Sequence, residues 1–124
     1  MYKIVTPVNA KTATFVSEPI SVRNAKKVTF SFKRTGHSAG SAVFSIQASL
    51  DGVGDFVPFV NMVSNDVNNH AQTLERNRTV ELTSNSHVLT ALDLEHFGYD
   101  NIQVKMVENG TGTSTCKMLV EYCD

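Results

Sequence analysis

The chain has 124 residues, enough for one domain with a buried core. Its hydrophobic share of 41% and charged share of 19% exclude a disordered chain. A formal charge of -1 excludes a global field that would draw in nucleic acid or an anionic membrane, and no apolar run reaches the roughly 18 residues of a transmembrane helix.

The first segment, "MYKIVTPVNA", lacks the apolar core of a signal peptide, so export by that route is not expected. Its short apolar bursts (Tyr2, Ile4, Val5) precede the regular alternation. Met1–Val16 therefore reads equally as a docking arm or as the first strands of the fold. Short strand candidates follow at Lys3–Thr6, Ala13–Val16 and Ile20–Val22.

In "KKVTFSFKR", Val28, Phe30 and Phe32 point one way while Lys27, Thr29, Ser31 and Lys33 point the other, the signature of a half-buried strand. Lys26, Lys27, Lys33 and Arg34 read as a solvated basic face. The phenylalanines lie on the opposite side, which is unfavourable for a nucleic-acid platform. "RTGHSAGS", with Gly36 and Gly40, then reads as the connection to an antiparallel neighbour. In "SAVFSIQASL", Phe44, Ile46, Ala48 and Leu50 alternate with Val43, Ser45, Gln47 and Ser49.

"SLDGVGDF" (Ser49–Phe56) reads as a turn, because glycine accepts positive φ and aspartate tolerates it. Asp51 and Asp55 do not match a calcium loop. Counted from Asp51, position three is Val53 and position twelve is Met62, where an oxygen ligand and a glutamate are needed. A further strand is expected over Phe56–Met62. The polar stretch Ser64–Thr79 is expected to be an exposed loop suited to partner binding, with Asn68, His70 and Arg76 as its candidates. Strands are expected at Thr79–Thr83 and Val88–Ala91, and "ALDLEHFGYD" has room for one helical turn ended by Gly98. In "NIQVKMVE", Ile102, Val104 and Met106 share a face; in "TCKMLVEY", Cys116, Met118, Val120 and Tyr122 do. Asn109-Gly110 between them is a strong type I′ hairpin signal.

Eight to ten short strands with one-sided alternation make an all-β antiparallel β-sandwich, jelly-roll-like, filling residues 1–124 as a single domain. The four histidines (His37, His70, His87, His96) have no metal-ligand spacing, so neither a metal nor another cofactor is expected. There is no nucleophile elbow and no phosphate loop, and the chain is not expected to be an enzyme. On one extended strand Cys116 and Cys123 would lie about 23 Å apart, against a Cα separation of at most about 7 Å for a disulfide. Both thiols are expected to be reduced.

The stretch "GSAVFSIQASLDGVGDFVPF" resembles small β-sandwich proteins of tailed-phage virions. The order of "PISVRNAKKVTFSFKRTGHSAGSAVFSI", a polar loop and "ALDLEHFGYDNIQVKM" is similar to capsid decoration and accessory virion proteins over residues 18–122. The resemblance implies a decoration (cement) protein on the capsid exterior, made in the host bacterial cytoplasm. It also implies the major capsid protein as partner and a homo-oligomeric state, a trimer by family habit. Tyr2, Ile4, Val5, Asn68, His70 and Arg76 are then the partner-binding candidates.

The S-x-D-G-x-x-aromatic pattern is also similar to carbohydrate-binding sandwiches. This implies a sugar- or receptor-binding alternative built on Asp51, Asp55, Phe56, Phe97 and Tyr99. Such modules usually carry a tryptophan after the turn, and this chain has none. A tail or head–tail connector subunit is a third reading.

Overall fold

A computed structural model of the chain describes residues 1–49, 57–58, 62–66, 71–75, 79–93 and 101–122, of which 57–58, 62–66, 71–75 and 92–93 are described by strand path alone. The described strands are β1 (Tyr2–Lys11), β2 (Phe15–Val16), β3 (Ile20–Ser21), β4 (Ala25–Ala39), β5 (Ala42–Ser49) and β6 (Val57–Pro58). They continue with β7 (Met62–Asp66), β8 (Ala71–Glu75), β9 (Thr79–Leu82), β10 (Ser86–Asp93), β11 (Asn101–Glu108) and β12 (Thr111–Tyr122).

They form two sheets, and all the pairings described are antiparallel. One is six-stranded in the order β1-β12-β4-β10-β7-β8. The other runs β2-β11-β5-β6, with β3 also on β11 and β9 also on β5. This is the antiparallel β-sandwich expected from the period-two pattern.

The inward phase is even-numbered in the central strands of both sheets. Val28, Phe30 and Phe32 of β4 and Cys116, Met118 and Val120 of β12 close one side of the core. Phe44, Ile46 and Ala48 of β5 and Ile102, Val104 and Met106 of β11 close the other, all nearly or fully buried. The rings of Phe32 and Phe44 meet between the sheets at 4.7 Å, tilted by 41°, within the usual geometry of aromatic pairs.

Three expectations are corrected. The stretch Ser64–Thr79 is not a plain loop: the end of β7 pairs with β8 within it, with Ser64 opposite Thr73 and Asp66 opposite Ala71. Polar composition did not prevent a hairpin whose backbone groups satisfy one another.

β4 and β5 do not pair with each other, and neither do β11 and β12. Each connection carries the chain from one sheet to the other. Asn109 and Gly110 accordingly lack the positive φ that a type I′ turn needs; among the described residues positive φ occurs at Ala10, Asn24, Gly36 and Gly40. A two-residue hairpin there would have set Met106 beside Thr113 and Ile102 beside Lys117, mixing the buried and polar faces. Crossing between sheets lets the even-numbered residues of both strands face one core.

The two crossings touch backbone to backbone. A Cβ on Gly40 would stand 2.4 Å from the Asn109 carbonyl oxygen, and one on Gly110 would stand 2.0 Å from that of Ala39. The Asn109 amide donates to the Ser41 carbonyl at 2.8 Å. Such an approach leaves no room for a side chain on either glycine.

β5 pairs with β6, Gln47 opposite Pro58 and Ala48 opposite Val57; residues 50–56, where a turn is expected, lie outside the described residues. The helical turn considered near Gly98 lies outside the described residues, as does Cys123.

Candidate docking face

Met1–Val16 is built into the sandwich. β1 is an edge of the six-stranded sheet, paired from Tyr2 opposite Glu121 to Lys11 opposite Ser114, and β2 pairs with β11. The register of β1 shifts twice, between Val5 and Val8 and between Val8 and Lys11. Lys3 and Pro7 also lie on this edge. Bulges, charge and proline on an edge strand blunt the addition of another strand, so the face of the sheet is better suited to docking than its edge.

Tyr2 and Ile4 stand on that outer face, 66% and 65% exposed. Val5 does not join them. It pairs with the buried Met118 on the inward phase and is half-buried, so it packs rather than presents. Ile4 is directly opposite Leu119, Leu119 is opposite Thr29, and Thr29 is opposite Ala91. Leu89, two residues along β10, is 62% exposed on the same face. Three strand spacings separate β1 from β10, or about 14 Å. At the β1 end, Met1, Tyr2, Lys26, Leu119, Glu121 and Tyr122 line an open hollow of about 210 Å³, and the Lys3 ammonium lies 5.7 Å from the Tyr122 ring centre.

The middle of the face is polar. Ser31 is paired with Lys117 on one side and Leu89 on the other; Lys33 is paired with Thr115 and His87. The Ser31 hydroxyl is hydrogen-bonded to His87 Nε2. Thr115 Oγ1 accepts from the Ala10 amide at 3.1 Å.

Arg34 is not part of the solvated basic face. It continues the inward phase of Val28, Phe30 and Phe32, and it is 1% exposed. Its guanidinium bridges the sheets to Glu108, the inward-phase residue at the end of β11, with Nη1 to Oε1 at 2.5 Å and Nη2 to Oε2 at 3.0 Å. Nε donates to His37 Nδ1 at 3.0 Å, Nη1 also to Ser114 Oγ at 3.5 Å, and Nη2 also to the Ala39 carbonyl at 3.3 Å. All five guanidinium donors thus have acceptors, which a buried arginine requires. The Glu108 carboxylate in turn receives the Gly110 amide at 3.0 Å. A Cβ on Gly112 would lie 2.6 Å from Arg34 Cζ, so glycine there makes room for the guanidinium. The cluster ties the two inter-sheet crossings together beneath the docking face.

Cys116 is a free, buried thiol, and burial pushes its pKa well above the ordinary value, keeping it protonated and unreactive. Among the described residues no group of three or more His, Cys, Asp or Glu side chains could hold a metal ion. No helix among them is long and apolar enough to cross a membrane. Asn68, His70 and Arg76 lie outside the described residues, as do Asp51, Asp55, Phe56, Phe97 and Tyr99 of the sugar-binding alternative.

No known protein family and no curated protein matches the chain. Among solved structures, the fold is similar to that of the SPBc2 prophage-derived protein YomS, with a TM-score of 0.67 and 16% identity over 97% of this chain and 92% of that one. Remoter likenesses include the disulfide-linked pili of Bacillus endospore appendages, with TM-score 0.38 and 10% identity over 100% of this chain and 85% of that one. Another is a family 11 carbohydrate-binding module from Clostridium thermocellum in complex with a mixed-linked tetrasaccharide, with TM-score 0.40 and 12% identity over 98% of this chain and 89% of that one. The first establishes a shared fold; the other two are too remote to inform function.

Proposed function

We propose that the chain is a non-enzymatic structural protein of a tailed-phage virion, a decoration (cement) protein that binds neighbouring major capsid subunits on the capsid exterior. One observation carries the reading. Of the five large hydrophobic residues exposed among the described residues, Tyr2, Ile4 and Leu89 belong to the outer side of the six-stranded sheet, Met1 precedes β1 and lines the hollow at its end, and Val16 belongs to the other sheet. Apolar side chains gathered on one rigid face mark an interaction surface. The resemblance of residues 18–122 to virion sandwiches and the fold shared with a prophage-derived protein support the same reading.

The mechanism is mass action. A protein that binds the assembled shell and not its dissociated subunits stabilises the shell, by about 2.7 kcal/mol per site at a free concentration of 100 times Kd. In this reading the protein acts as a homo-oligomer, a trimer after the resemblance, so that weak contacts add through effective concentration. The test is to add the purified protein to shells assembled without it and to measure occupancy together with the shell's melting temperature. Saturable binding that raises the melting temperature is expected. Shells that neither bind the protein nor gain stability would sink the role and direct attention to glycan binding.

A further inference from the structure

The docking face is electrostatically divided, and the division specifies its partner. Near the hollow, Lys27 stands directly opposite Glu121, so positive and negative side chains alternate across the strands. Two rows further along, the balance is lost. The cross-strand partner of Lys117 on β4 is Ser31, and the partners of Lys33 are Thr115 and His87. On β4, β10 and β12 the diagonal neighbours at this level are Thr29, Thr113, Leu89 and Lys33 or Lys117 themselves. None of these is acidic, and Lys33, Lys117 and His87 are exposed.

Lys33 and Lys117 are diagonal neighbours across β4 and β12, about 7–8 Å apart and within reach of long side chains. A chain whose net charge is only -1 nevertheless places two lysines side by side here. Ligand-ready groups surround them. Thr115 Oγ1 accepts from the Ala10 amide, and a hydroxyl that accepts can also donate. The Ser31 hydroxyl and the His87 imidazole form a second polar pair beside the lysines.

We infer that this corner receives carboxylates of an acidic protein segment, whose flanking apolar side chains rest on Ile4, Leu119 and Leu89. The inference rests on the docking reading above and deepens it by naming the partner's chemistry. Charge complementarity selects an anion. A protein is favoured over nucleic acid because the aromatic residues of β4, Phe30 and Phe32, are buried and offer no stacking surface among the cations. Exposed aliphatic residues lie immediately beside the cations instead.

Two arms test it. In the first, binding to shells is measured across a salt series for the wild type, for Lys33→Gln/Lys117→Gln, and for Lys105→Gln on the opposite sheet. Melting temperatures confirm that each variant is folded. The wild type is expected to bind less tightly as salt rises, the double variant to lose about tenfold in affinity and most of the salt dependence, and Lys105→Gln to match the wild type. A double variant that binds like the wild type overturns the inference while leaving docking intact.

The second arm does not need shells. Poly-L-glutamate and a short DNA duplex are each titrated into the labelled protein at low salt. Shifts confined to Ser31, Lys33, His87, Thr115 and Lys117 with poly-L-glutamate support the inference, even if no shell is bound. No shift at these residues, or tighter binding of the duplex, overturns it.

Discussion

Replacing Glu108 by glutamine removes the carboxylate that Arg34 grips while keeping the size of the side chain. The Arg34 side chain is fully buried and that of Glu108 is 3% exposed, so water cannot take over the lost contacts without opening the corner. The amide that replaces one carboxylate oxygen presents a donor to a guanidinium that is itself all donors. Breaking a buried pair on one side costs about 3–5 kcal/mol. That is a large part of the roughly 5–15 kcal/mol that holds a domain of this kind together, and it corresponds to a fall of roughly 10–20 °C in Tm. Removing both charges in Arg34→Met/Glu108→Leu should recover part of the loss, because no uncompensated ion remains. Recovery stays incomplete, since His37 Nδ1, the Ala39 carbonyl and the Gly110 amide lose their partners. Urea unfolding followed by far-UV circular dichroism, run as a double-mutant cycle, measures these terms. A loss below about 1 kcal/mol in Glu108→Gln, or a double variant no more stable than the single one, would refute the bridge as the tie between the sheets.

Other outcomes follow from the same geometry. Gly112→Ala should cost about 1–3 kcal/mol, because its Cβ meets a guanidinium pinned on all sides; an unchanged denaturation midpoint would show that Arg34 has room to move. In a Cys123→Ser background, Cys116 should resist a thiol reagent until the protein unfolds, and prompt labelling under native conditions would contradict its burial. The unfolded chain ionises this thiol near its ordinary value of about 8.5, whereas the folded chain keeps the proton. The stability of Cys116 relative to Cys116→Val should therefore be full at neutral pH and fall above that value by up to about 1.4 kcal/mol per pH unit; a pH-independent difference would contradict it. Ile4→Glu and Leu89→Glu, both at exposed positions, should weaken shell binding with Tm unchanged within a few degrees, and undiminished binding would remove the apolar face from the interface.

Much of the fold was legible because period-two alternation reports which side of a strand is buried. Val28, Phe30 and Phe32, or Ile102, Val104 and Met106, need no tertiary information to be placed. The same phase, carried one residue further, reaches Arg34 on one strand and Glu108 on the other. Two opposite charges at inward positions are the sequence signal of the bridge, and it was obscured because Arg34 also neighbours Lys33 in a basic run. The sheet crossing at Asn109-Gly110 was misread as a hairpin, although the same phase argues against one. Local turn chemistry favours a hairpin, but hairpin register would mix polar and apolar faces, and burial outweighs a turn preference. The β7–β8 hairpin was not legible, because a stretch such as "SNDVNNHAQTLE" carries almost no hydrophobic period. The docking face is the hardest feature to read. Tyr2 and Ile4 are visible as apolar positions, but Leu89 joins them only through the pairing of β1, β12, β4 and β10, which sequence spacing does not encode.

Hydroxyl-radical footprinting of the protein free and bound to shells tests the central claim most directly, because the molecule contains its own control. Tyr2, Ile4 and Leu89 on the six-stranded sheet and Val16 on the other sheet all start at 46% exposure or more. Docking through the proposed face predicts that Tyr2, Ile4 and Leu89 become protected while Val16 keeps its free reactivity. Protection of Val16 with Ile4 and Leu89 unchanged would place the contact on the opposite sheet and contradict the account.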